Sequence, residues 1–228
     1  MKFRIVTTLL LCLTFTTPLL AQMSSEVRSL SKEWALVKYQ TPKAKRKMAF
    51  ERLAQRANAI TSANPGQAEP LVWEAIILAS IAGELRGVAK LKAMDFVTRA
   101  RDLLLKAEKI NSNALNGSVY TSLGSLYYQV PGWPLGFGSD KKARAYLSKG
   151  LQVNPRGLDQ NYFYGDFLMS QGYYAEAIKA FEQALATPVT RDRPIFDTGR
   201  RQEVRMALNE AKAQKNQKND YAGIISGR

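Results

Sequence analysis

The sequence predicts an all-α protein built as a stack of degenerate two-helix repeats. Apolar residues recur at helical spacing, and no segment alternates apolar and polar residues around a hairpin turn pair. A pattern of small and large residues recurs in one register between Tyr120 and Pro188. Breaker residues at Thr41-Pro42, Asn64-Pro65-Gly66, Asn111-Ser112-Asn113 and Asn154-Pro155 divide the chain into helix-sized pieces.

Each element follows in order. Residues 24–40 read as a first helix with Leu30, Trp34 and Val37 on one side, and proline ends it. Residues 43–62 read as its partner, with Met48, Leu53, Ala57 and Ile60 inward and Lys43, Lys45, Arg46 and Lys47 on a solvated face. Pro70 opens a helix that is apolar on most sides (Leu71, Trp73, Ile76, Ile77, Leu78, Ile81), as befits a central position. Residues 93–110 pair with it through Phe96, Ala100, Leu104 and Ala107. The third pair is 114–129 and 140–153, and the fourth is 158–171 and 174–186. A last helix near 198–215, mostly polar with Val204 and Leu208 inward, suits a C-terminal cap.

In the third pair, Tyr120-x-x-Leu123-Gly124-x-x-Tyr127 precedes Ala143-x-x-x-Leu147-x-x-Gly150 and Asn154-Pro155. In the fourth, Tyr164-Gly165-x-x-Leu168 precedes Ala177-x-x-x-Phe181-x-x-Ala184 and Pro188. This resembles the tetratricopeptide pattern of about 34 residues. The resemblance implies a right-handed superhelix whose first helices line a concave face. By register that groove comprises Glu74, Leu78 and Ile81, then Thr121, Ser125 and Tyr128, then Asp159, Tyr162, Asp166 and Met169.

Composition removes whole classes of chemistry. The chain has no histidine, and its one cysteine, Cys12, lies in the leader. Ser-His-Asp and Cys-His catalysis, disulfides in the mature chain and cysteine metal sites are therefore excluded. No nucleophile, base or phosphate-loop motif accompanies the carboxylates, so the reading is a binding protein, not an enzyme, with no cofactor and no metal site.

Met1–Ala21 has a basic start at Lys2 and Arg4, an apolar stretch and a small residue at its end, and reads as a signal peptide cleaved near Ala21. Leu11 before Cys12 departs from a lipobox. The expected domains are 1–21 signal peptide, 22–214 helical repeat domain and 215–228 flexible polar tail. Losing Lys2 and Arg4 from the 33 basic residues leaves 31 against 19 acidic, a net +12. That surface favours anionic partners, and export argues against nucleic acid.

Two sites stand out. Val130-Pro131-Gly132-Trp133-Pro134-Leu135-Gly136-Phe137-Gly138-Ser139-Asp140 replaces the few-residue turn normal between such helices. Proline and glycine fix its path, and Trp133 and Phe137 are either plugs between helices or ligand contacts. Asp140 is placed to cap the next helix. The second is Asp197-x-x-Arg200-Arg201-x-Glu203, where Arg200 is expected to pair with Asp166 or Asp197. The candidate partner-binding residues are Tyr128, Pro131, Trp133, Pro134, Phe137, Tyr162, Asp166, Met169 and Arg200.

At Gly132-Trp133-Pro134-x-x-Phe137-Gly138-x-x-x-Lys142-Ala143 the chain resembles the T-component family of TRAP (tripartite ATP-independent periplasmic) transporters. It is also similar to a group of exported tetratricopeptide proteins that share this segment. Asn154-Pro155 and residues 162–168 fit as well, and the likeness spans about 120–203. The resemblance implies a periplasmic helical protein that binds a solute-binding protein and passes an apolar ligand through a cavity or pore. Members are often lipoproteins and can be trimeric, and the chain departs from them at Leu11-Cys12.

The leading expectation is an exported, non-integral module that docks a protein or peptide in its groove. The alternatives are a carrier of a small amphipathic ligand, held between Trp133, Phe137, Tyr128 and Tyr162, and an electrostatic binder of anionic lipid or cell-wall polymer.

Overall fold

A computed structural model describes residues 25–226; the expected signal peptide, with Cys12, lies outside the described residues. Among those residues nine α-helices form four antiparallel pairs and a final helix. The pairs are α1 (Ser25–Gln40) with α2 (Lys43–Ala63), α3 (Ala68–Glu84) with α4 (Ala93–Asn111), α5 (Ala114–Gln129) with α6 (Asp140–Val153), and α7 (Leu158–Ser170) with α8 (Tyr174–Ala186). The final helix is α9 (Pro194–Ser226), and a 3-10 segment, Gly87–Lys92, lengthens the α3–α4 connection. This is an all-α helical-repeat fold.

The repeat residues do the packing their sizes predict. A β-carbon on Gly124 would lie 2.6 Å from Leu147 Cγ, and one on Gly165 would lie 2.7 Å from the Phe181 ring. Only glycine lets the two helices of each pair approach this closely. Leu123, Leu147, Ala143, Ala177 and Phe181 are buried beside those contacts. Each such Leu or Phe contributes roughly 1.5–3 kcal/mol by leaving water. Pro70 sits in the first turn of α3, where its missing N–H costs nothing, and Leu71, Trp73, Ile77, Leu78 and Ile81 make α3 the most buried helix.

The concave groove differs from the expectation. Glu74, Leu78, Ile81 and Thr121 are buried, not groove-lining. The cause is closure. The first helices of successive pairs pack on one another, and α1 packs against α9, so the two ends of the stack meet. Trp34 lies 5.3 Å from Phe196 between ring centroids, and Lys38 pairs with Glu203 at 3.6 Å. The inner side of the stack is thereby core.

One smaller expectation also changes. Met48 is 62% exposed, and Phe50 takes the inward place on α2. The register read from Leu53, Ala57 and Ile60 reaches residue 50, three positions before Leu53, and passes Met48 by. Ala211 is the last buried residue of α9 among those whose burial is described, and the helix runs on to Ser226. The run Ala211–Lys218 holds no glycine or proline to stop it, and Ala, Lys and Gln favour helix.

Candidate functional site

The α5–α6 connection is an ordered finger. The Val130 N–H donates to Leu126, and the Ser139 N–H donates to Tyr127 at 2.7 Å, which clamps both ends of the loop to α5. Within it, the Leu135 and Gly136 N–H groups both donate to Gly132, and Gly138 donates to Pro131 at 2.9 Å. The Trp133–Pro134 peptide is cis. A β-carbon on Gly138 would lie 2.8 Å from the Pro131 carbonyl carbon, so this crossing of strands of the loop admits only glycine.

The clamp separates the two aromatics that sequence could not separate. Phe137 turns back onto the helices, edge-on to Tyr127 at 5.7 Å, with the Arg101 guanidinium 4.5 Å above its ring. It is a plug. Trp133 is 90% exposed, and Leu135 is 76% exposed. Pro131 and Pro134 are also exposed, so the tip is four apolar residues facing solvent. Leu135 was missed because it matches no anchor type by itself; its position between two loop glycines was the available signal. The helix after the loop is capped by Ser139, whose hydroxyl accepts from the Lys142 N–H, and not by Asp140. Ser139 has the extended backbone an N-cap needs, and Asp140 is already in the first turn.

The remaining candidates fall in a second, interior place. Tyr128 donates to Asp166, joining α5 to α7. Burial raises the Asp166 carboxyl above its ordinary range, against the Tyr128 bond and Arg200, which lower it. Burial first, then Asp166, raises the Tyr128 hydroxyl. Arg200 is 6% exposed. It pairs with Asp159 at 2.8 Å and Glu203 at 2.7 Å, correcting the expected pairing with Asp166 or Asp197. Asp197 instead accepts from the Thr190 N–H and pairs with Arg193. The reason is reach: Asp159, in the first turn of α7, faces α9, and Glu203 is one turn along from Arg200.

The Arg200 guanidinium also stacks 4.6 Å from the Tyr162 ring centre and 4.9 Å from that of Phe163. Burial alone would lower its basicity, but Tyr39, Asp159, Glu203 and Tyr162 around it raise it, so it stays charged. Burial pushes the Tyr162 hydroxyl up to about 12. Met169 is half-buried against the core shared by α7, α8 and α9. The cluster ties α7 to α9 by ion pairs, although Asp159 Oδ1 and Arg200 Nε, close as they are, make no well-aligned hydrogen bond.

Trp133 thus stands at the exposed tip and Phe137 packs on Tyr127, while Tyr128 and Tyr162 lie in the interior cluster. Two shallow depressions lie elsewhere: one on α4 around Asp95, Arg99, Asp102 and Lys106, the other among Arg144, Asn161, Tyr164, Tyr173, Glu176 and Lys179. None of those aromatics lines either. Among the described residues no group of His, Cys, Asp and Glu is placed to hold a metal ion, and no helix is long and apolar enough to cross a membrane.

No family model and no curated protein matches the sequence. Solved structures of MamA are similar. One has a TM-score of 0.44 at 19% identity, covering 80% of this chain and 99% of that one. A second has a TM-score of 0.44 at 17% identity, covering 87% of this chain and 97% of its own. A third, titled MamA AMB-1, has a TM-score of 0.44 at 18% identity, covering 83% and 98%. Nothing about function follows from a likeness at this level.

Proposed function

We propose that the chain is an exported, non-catalytic docking scaffold, and that it docks through the 130–139 finger instead of a concave groove. The observation that carries this is Trp133: a 90% exposed tryptophan on a backbone clamped at both ends. A large apolar side chain held rigidly in water has already lost its backbone freedom, so most of the burial gained on docking is retained as affinity. The counterpart offers an apolar receiving surface with negative charge around it, given the basic balance of the chain.

Export rests on the Met1–Ala21 signal, and the absence of chemistry rests on the missing histidine and mature-chain cysteine. A periplasmic protein partner, a solute-binding protein linked to transport, is what the T-component resemblance would add. The test is a photoreactive residue at position 133 in intact cells, with Lys47 as control. Adducts, to protein or lipid, from position 133 alone support the finger as the contact. Equal labelling from both positions, or none from 133, sinks it.

A further inference from the structure

Resting on the reading of the finger as the docking element, we infer that what it docks on is an anionic lipid bilayer: Trp133 and Leu135 enter the headgroup boundary and neighbouring lysines hold lipid phosphates. The loop bonds part of its own backbone, which suits shallow insertion at the headgroup boundary and not burial in hydrocarbon. Polar backbone groups taken out of water must be bonded internally. Of the nine residues 130–138, two are prolines without an N–H, and of the seven remaining N–H groups those of Val130, Leu135, Gly136 and Gly138 donate within the protein, while those of Gly132, Trp133 and Phe137 are left to the hydrated headgroup layer. The same nine residues carry no polar side chain except the Trp133 indole, the group favoured at membrane–water interfaces.

Charge completes the argument. Lys141 and Lys142, exposed in the first turn of α6, follow the finger directly. Met94 touches the other side, within 3.0 Å of where a β-carbon on Gly136 would stand, so exposed Lys92 lies two residues from that contact. These lysines outnumber Asp95 and Asp140 beside them, and the whole chain is strongly basic. A protein slot selects its ligand by hydrogen bonds at defined points, and the side chains of this tip offer one indole N–H. A bilayer surface needs only what is present: an apolar wedge with positive charge around it.

The chain reports on itself. Trp34 and Trp73 are buried, and Trp133 is exposed, so a change in tryptophan emission on adding vesicles reads the finger. The experiment compares the mature chain with vesicles of phosphatidylcholine alone and with added phosphatidylglycerol, by emission and by co-sedimentation, at low and physiological salt. The expected result is a blue-shifted emission with the anionic vesicles only, weakened by salt. Co-sedimentation should fall about tenfold or more for Trp133→Ala with Leu135→Ser, and several-fold for Lys141→Glu with Lys142→Glu.

Vesicle binding unchanged in the Trp133/Leu135 variant would overturn the inference, since diffuse charge alone would then explain it. No vesicle binding together with a protein adduct from position 133 in cells would overturn it too, and would leave the finger as a protein contact. No vesicle binding and no adduct would remove both readings.

Discussion

Gly199 of α9 lies flat against the ring of Tyr39 at the end of α1, with no room between them for a β-carbon. That contact joins the last helix to the first. Tyr39 then donates its hydroxyl to Glu203, four residues further along α9, at 3.1 Å.

The Gly199–Tyr39 contact predicts opposite signs for one substitution at two sites. Gly199→Ala should cost about 1–3 kcal/mol, because the methyl group has to displace an aromatic ring from a packed contact. Gly83→Ala, also helical and with nothing within 4 Å of the new carbon, should gain about 0.5–1 kcal/mol from helix propensity. Urea unfolding midpoints of the two variants check both.

Arg200 predicts a larger loss. Arg200→Met removes the partner of Asp159 and Glu203 and leaves both carboxylates facing a partly buried space, at a cost on the order of 3–5 kcal/mol. Arg200→Lys should recover only part of it, because an ammonium cannot stack between Tyr162 and Phe163 while pairing in two directions. Chemical denaturation with near-ultraviolet circular dichroism measures each.

The finger predicts a split between its aromatics. Trp133→Ala should change stability by less than about 0.5 kcal/mol, as expected for an exposed side chain away from other contacts. Phe137→Ala should cost about 2–3 kcal/mol, since it vacates the space against Tyr127 and Arg101. Thermal melts suffice. An equal loss in both would mean that Trp133 is part of the fold.

Asp166 predicts a dependence on pH. Its carboxyl is raised by burial, and also by Glu203, while Tyr128 and Arg200 act the other way. The folded chain therefore holds the proton more tightly than the unfolded one. This contribution favours folding below the unfolded value and is lost as pH rises through the folded value. Asp166→Asn should be more stable than the parent at neutral pH, and the advantage should shrink towards about pH 4. Unfolding midpoints at the two pH values decide it.

The helices were legible because each is a local pattern: Leu123-Gly124 and Leu147 in one pair, Gly165 and Phe181 in the next. Closure was not. Tyr39 and Gly199 meet only through the packing of all four pairs between them, so no window of sequence contains it. Glu74 shows the result. By register it belongs to an exposed inner face, and in the closed stack it is buried, held by Arg99 and Asn58. The loop was legible as an anomaly of length and composition. Which aromatic faced outward depended on where Gly138 crosses Pro131, a matter of backbone path that residue types do not encode.

An open array of repeats can begin folding anywhere and lose its ends without losing its middle. Here the bond from Tyr39 to Glu203 spans 164 residues, and the chain segments between them must all be in place for it to form. The contact raises the mean sequence separation of native neighbours, which slows folding relative to a linear stack of the same helices. It also ties the first pair to the last helix, so that a truncation at either end is felt at the other.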